Sequence, residues 1–177
     1  MTIIWNQYEP YVPPYRGPQA QLSSSEARES FDQLMAAKPR RTEQLRTLLE
    51  ANGLTLNDDD AFIRRLNHWF RENVEANPDE PGRLRNLWYA VVNDVALFLG
   101  DVLIARCPNL HWDLVLDGRR DIPFQKHVIV GFGNVPNPKF NLDIDRLVAT
   151  YAHQVVAGDS VDADFFAKVL ASAAAKA

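Results

Sequence analysis

The chain has 177 residues, of which 46% are hydrophobic and 24% are charged, the composition of an ordinary globular protein. Its net charge of −4 supplies no general positive field, so we expect no binding to nucleic acid or to a membrane surface. The single cysteine, Cys107, excludes an internal disulfide, and no cysteine and histidine cluster indicates a bound metal or another cofactor.

Residues 1–22 combine aromatic residues with several prolines, a pattern typical of an extended arm rather than a helix. We expect this arm to lie across a single domain formed by residues 23–177, with its rings in surface grooves. The alternative is an arm that binds a partner. The opening residues lack the basic and then apolar pattern of a secretory signal, so a cytoplasmic location is predicted.

Helix signals follow the arm. Ser23 and Glu26 have the spacing of a capping box, which predicts the start of a first helix. Pro39 suits the first turn of a second helix, which Asn52-Gly53 would end. The three acids from Asp58 to Asp60 precede a third helix, where they would stabilise its positive end.

The segment from Leu84 to Ile104 is apolar on most sides at helical spacing, which predicts a long central helix that stops before Pro108. Gly100 lies inside this segment and costs about 1 kcal/mol of helix stability relative to alanine. Such a glycine indicates close approach of another element, either the hairpin or a second helix. A binding groove over Gly100 is the less favoured alternative.

Residues Leu110 to Leu116 alternate as in a half-buried strand, and Asp117-Gly118 predicts a hairpin turn toward a return strand that starts at His127. Two more helices are expected, one from Asp143 to Gly158 and one near 161–175 whose alanine-rich end should fray. The predicted fold is therefore α+β and predominantly helical, with about six helices around a long central helix. A small antiparallel sheet of two to three strands should pack on that helix.

Two sets of residues are candidates for chemistry. Asp94 and Asp101 stand seven residues apart, so both carboxylates project from one side of the central helix, as a catalytic pair or a cation site would require. We favour the simpler interpretation that they form its solvent-facing strip. His111 and His127 lie on the two predicted strands and would form a metal or proton-transfer site if the register placed them opposite each other.

Aromatic and arginine side chains are enriched at protein interfaces. Arg119 and Arg120 lie beside the predicted hairpin turn, and Trp5, Tyr11 and Tyr15 lie in the arm. These five residues are the predicted partner-binding residues.

The segment from Trp88 to Trp112, which contains NDVALFLGDVL followed by a tryptophan on the next strand, resembles a pattern in small uncharacterised bacterial α+β proteins. The stretches YVPPYRG and VPNPKFNLDIDR are similar to parts of the same pattern. The resemblance implies no activity and no functional residue. Some small acidic bacterial domains are immunity proteins that block a toxin, an analogy of class alone.

Two functions are therefore open. The first is a non-catalytic cytoplasmic module that binds another protein, in the manner of an immunity or inhibitor protein, with homo-oligomer formation left open. The alternative is a small enzyme or ligand- or metal-binding protein that uses Asp94, Asp101, His111 and His127. The alternative predicts that these four side chains converge on one point in a cleft.

Overall fold

The computed structural model describes residues 3–116 and 124–177 and confirms an α+β fold that is mostly helical. In the described residues there are five α-helices and two strands, together with a short 3-10 turn at Gln19–Gln21. The elements are α1 (Ser24–Ala51), α2 (Asp60–Asn73), α3 (Asn86–Arg106), β1 (His111–Leu114), β2 (His127–Val130), α4 (Ile144–Ala157) and α5 (Phe165–Ala174).

Helix α3 is the centre of the core, as its apolar sequence predicts. Trp88, Val91 and Val95 on this helix are fully buried, and α1, α4 and α5 pack around it. By length and composition α3 could cross a membrane, but 67% of its most apolar 18-residue window is buried inside the domain. The core helix of a soluble protein has these same properties.

The prediction of separate helices on either side of Pro39 is wrong, because α1 continues through this proline. A proline inside a helix removes one hydrogen bond and costs about 3 kcal/mol. The continuous helix keeps Leu34, Arg41, Leu45 and Leu48 on one buried face, and this packing outweighs the local cost. The merger of these two segments is why the described residues contain five α-helices rather than six.

The predicted helix ends are confirmed at three caps. The Ser23 hydroxyl accepts from the Glu26 amide and the Glu26 carboxylate accepts from the Ser23 amide, which completes the capping box. The Asp59 carboxylate accepts from the Phe62 amide at the start of α2. Gly158 ends α4 with φ of +77°, a left-handed conformation that glycine adopts without strain.

Strands β1 and β2 are antiparallel, with Trp112 opposite Ile129 and Leu114 opposite His127. The predicted turn at Asp117-Gly118 lies outside the described residues. On the other side of β2, Ile129 exchanges two backbone hydrogen bonds with Leu142, at 3.0 and 2.9 Å, in a single isolated bridge. The sheet of the described residues therefore has two strands, within the predicted range.

The hairpin packs on α3 at Gly100, which confirms the expected close approach. A Cβ atom at Gly100 would lie 2.2 Å from Cζ2 of Trp112 and 3.2 Å from Cδ1 of Ile129. No side chain fits in that space, so glycine is required there for the tryptophan ring to lie on the helix backbone.

The expectation that the chain frays after the last helix is wrong. The carbonyl oxygen of Ala177 accepts from the Gly133 amide at 3.2 Å and from Nδ2 of Asn109 at 2.9 Å. The Lys176 carbonyl accepts from the Asn134 amide at 2.9 Å. These bonds hold the segment against the loop that follows β2, a contact that the local alanine content does not reveal.

The described part of the arm packs on its own domain. Ile3 and Tyr8 are buried, and the Trp5 ring meets the Trp88 ring edge-on at a centroid distance of 5.7 Å. The Asn52 side chain bonds to both the amide and the carbonyl of Ile4, at 3.0 and 2.9 Å. The arm thus covers the end of α1 and one side of α3.

Candidate functional site

Asp94 is buried, so the prediction that it faces solvent is wrong. Its carboxylate accepts two hydrogen bonds from the Arg41 guanidinium, at 2.8 and 2.6 Å, and one from the Tyr8 hydroxyl at 2.5 Å. The same guanidinium donates to the Glu9 carbonyl at 2.8 Å. The exposed fractions of Asp94, Arg41 and Tyr8 are 1%, 4% and 8%. We call these three residues the Asp94 network.

The Asp94 network joins the arm, α1 and α3. A bidentate arginine–carboxylate pair of this kind satisfies both charges in a dry setting. Burial, together with the adjacent Asp94 carboxylate, raises the pKa of Tyr8 well above its ordinary value. Since Arg41 and Tyr8 donate the three short hydrogen bonds to the buried Asp94 carboxylate, Asp94 serves to hold these elements together and is not exposed to a substrate.

Asp101 belongs to a separate contact. Its Oδ1 accepts from Nζ of Lys38 at 2.6 Å and from Nε1 of Trp112 at 2.8 Å. The Lys38 ammonium also lies over the Trp112 ring, 5.7 Å from its centroid. Asp101 therefore fixes the orientation of the tryptophan that packs on Gly100.

The two strand histidines do not face each other. The register places His111 opposite Val130 and His127 opposite Leu114, at opposite ends of the ladder. His111 is exposed, whereas His127 is 8% exposed. This register therefore excludes the cross-strand histidine pair that the sequence left open.

His127 instead lies among charges from the start of α4. Burial lowers the pKa of His127, and the carboxylates of Asp145 and Asp143 oppose that effect. Burial raises the pKa of Asp145, against the influence of His127. Lys126 bonds to Asp143 at 3.2 Å beside them. Burial therefore favours the neutral imidazole.

The four residues of the enzyme alternative thus lie in different surroundings. Asp94 and Asp101 have separate hydrogen-bond partners, His111 is at the surface, and His127 lies beside Asp145. Within residues 3–116 and 124–177, no three His, Cys, Asp or Glu side chains are grouped to hold a metal ion.

The predicted partner-binding residues of the arm make internal contacts. Trp5 packs on Trp88, and the Tyr15 hydroxyl donates to the Glu29 carboxylate at 2.5 Å. Tyr11 is half-buried, and burial raises its pKa while the nearby Arg41 lowers it. Arg119 and Arg120 lie outside the described residues.

A surface groove with a volume of about 910 Å³ lies along α2. It runs between the loop 53–55 and the helix face formed by Arg64, Arg65, His68 and Glu72, with the buried Trp69 also lining it. We call it the α2 groove.

The α2 groove carries positive charge in a chain whose net charge is −4. Arg64 lies 3.7 Å from a carboxylate oxygen of Asp164, a long contact between exposed groups. The guanidinium of Arg65 lies over the Phe62 ring at 5.9 Å, and among the described residues it meets no carboxylate within 4.0 Å. The lining of the groove therefore holds two arginines and one glutamate, with Asp164 next to Arg64.

The sequence contains weak signals for these features. Arg41 lies on the buried stripe of α1 and Asp94 inside an apolar helix, two charges on apolar faces that suggest mutual pairing. The sequence around Arg64 and Arg65 is typical of a solvated helix face. No nearby residue pattern predicts that the loop 53–55 forms a groove beside them.

No family model matches the chain, and comparisons with curated proteins and with solved structures find no match either. The functional interpretation therefore depends on the site geometry.

Proposed function

We propose that the protein is a non-catalytic cytoplasmic binding protein whose α2 groove receives an acidic segment of another protein. The observation that carries the proposal is the groove itself, about 910 Å³ in volume and bordered by Arg64, Arg65 and His68. An inhibitor or an immunity protein is one class of protein that would act in this way.

The chemistry of the groove supports a protein partner. Arginine and tryptophan are the side chains most enriched at binding hot spots, and Trp69 lines the groove beside the two arginines. Arg65 is exposed and has no carboxylate partner in the described residues, so pairing with an acidic partner would break no internal salt bridge. Complementary charge also speeds association and selects among partners.

The enzyme alternative receives no comparable support, because its four side chains have separate neighbours. The arm residues Trp5 and Tyr15 already contact their own domain, so the proposed binding surface is the α2 groove rather than the arm.

Charge reversal at Arg65 tests the proposal. The probes are a fluorescent peptide of alternating glutamate and leucine and its lysine-for-glutamate counterpart. We expect the acidic peptide to shift the amide NMR signals of α2 and of residues 53–55, and Arg65→Glu to weaken its binding about tenfold or more. The lysine peptide should not bind the groove.

Arg28→Glu is a matched control, because Arg28 is also an exposed helix arginine that lies over a phenylalanine ring, at 5.6 Å from Phe31. It should leave binding of the acidic peptide unchanged. Equal losses in the two variants, or shifts that map away from α2, would contradict the proposal. The Arg28→Glu variant should still capture the natural partner from a cytoplasmic extract, and the Arg65→Glu variant should not.

A further inference from the structure

A small cavity lies between α1 and the hairpin, and its volume is about 20 Å³. Four polar residues line it: Gln19 from the short 3-10 turn, Ser30 from α1, His127 from β2, and Gln125, which precedes that strand. Leu34 and Leu114 are among its apolar lining residues. We call it the Ser30 cavity.

The Ser30 cavity gathers buried polar atoms that have no hydrogen-bond partner in the described structure. Five side-chain atoms of the described residues are in this condition, and three of them line this one cavity: Oγ of Ser30, Oε1 of Gln125 and Nε2 of His127. Gln125 and His127 are 4% and 8% exposed, so bulk solvent does not reach these atoms freely. A buried polar group without a partner costs about 1–3 kcal/mol, so such a concentration indicates a bound molecule.

The three atoms define the chemistry of that molecule. The Gln125 amide oxygen only accepts hydrogen bonds, and the Nε2 atom of a neutral imidazole accepts when the ring proton is on Nδ1. The Ser30 hydroxyl can donate. The complementary molecule therefore donates twice and accepts once.

We propose that the Ser30 cavity binds one water molecule, which donates to His127 and Gln125 and accepts from Ser30. A cavity needs roughly 10–15 Å³ to hold a water, so the volume suits one water and excludes a larger ligand. Three hydrogen bonds are also about the number that a buried water makes in proteins. The water would connect α1 to β2 through polar atoms.

Oxygen-17 magnetic relaxation dispersion, which counts long-lived internal waters, tests the proposal. Ser30→Val places a methyl group in the cavity and removes the hydroxyl, so it should lower the count by about one water. Ser172→Val is the matched control, since Ser172 is an exposed serine on α5, and it should leave the count unchanged. An unchanged count in Ser30→Val would overturn the proposal.

The wild-type protein provides a second test that does not depend on a variant folding. A high-resolution crystal structure should show one solvent peak within hydrogen-bond distance of all three atoms. A direct bond between Ser30 Oγ and His127 Nε2, with no solvent peak, would overturn the assignment. A solvent peak that appears only in crystals grown in ammonium chloride, and not in crystals grown in sodium chloride, would also overturn it, because the occupant would then be a cation.

Discussion

Asp94 and Arg41 show how a charge on an apolar face is stabilised. The two residues are 53 positions apart in sequence and meet through two hydrogen bonds at almost complete burial. Moving either charge out of water costs several kcal/mol, which the bidentate contact and the Tyr8 hydroxyl offset. The contact and the desolvation cost therefore largely offset each other in the net stability of the folded protein.

Breaking this pair from one side should be strongly destabilising. Arg41→Met or Asp94→Asn leaves the remaining charge buried without its partner, and we expect each to lower the free energy of unfolding by about 3–5 kcal/mol. The double variant should lose less free energy of unfolding than the sum of the losses in the two single variants. Urea denaturation of the four proteins measures these values.

The surface pair of Arg46 and Glu43 is the control for this cycle. Their side chains are 40% and 66% exposed and lie 3.1 Å apart, so Arg46→Met should cost no more than about 1 kcal/mol. Additive losses in the Arg41 and Asp94 cycle would contradict the interpretation of a coupled buried pair.

Among the elements, α1 and α3 show the limits of local signals. The capping box at Ser23 and the apolar run of α3 were predictable because each depends on residues within a few positions. The continuation of α1 through Pro39 was not, since it depends on a buried face that α3 and the arm complete.

The contact between the hairpin and α3 should fail if Gly100 gains a side chain. In Gly100→Ala the new Cβ would lie 2.2 Å from the Trp112 ring, and alanine's better helix propensity, worth about 1 kcal/mol, does not offset the displacement of the ring. We expect a net loss of about 1–3 kcal/mol in the free energy of unfolding, measured by thermal and urea denaturation.

Trp112→Leu provides the matching test. It should itself be destabilising, because it removes the ring and the bond from Nε1 to Asp101. When Gly100→Ala is added to the Trp112→Leu variant, it should change the free energy of unfolding little or increase it. If Gly100→Ala costs the same with and without the tryptophan, the glycine is not required for ring packing.

At the scale of the whole molecule, Tyr8 connects the arm to the stability of the domain. Its folded-state pKa lies above the ordinary value of about 10, because of burial and of Asp94, so the folded phenol keeps its proton where the unfolded one loses it. The free energy of unfolding should therefore fall as pH rises above about 10, by up to about 1.4 kcal/mol per pH unit for this group.

Tyr8→Phe should remove that contribution. The stability difference between wild type and the variant is expected to be largest below about pH 10 and to shrink at higher pH, as measured by urea denaturation between pH 8 and 11. Ile3→Val is the control, because it weakens the packing of the arm without a titratable group. A difference for Tyr8→Phe that stays constant with pH would show that the phenol ionises equally in both states.

Local patterns in the sequence predicted the fold class, the buried central helix and three helix caps, because periodicity and capping act between residues a few positions apart. The strand register that separates His111 from His127, the contact of Asp94 with Tyr8, and the α2 groove follow from the packing of distant elements. Tyr8 and Asp94 are 86 residues apart, and their contact depends on how complete elements pack, which no local pattern encodes.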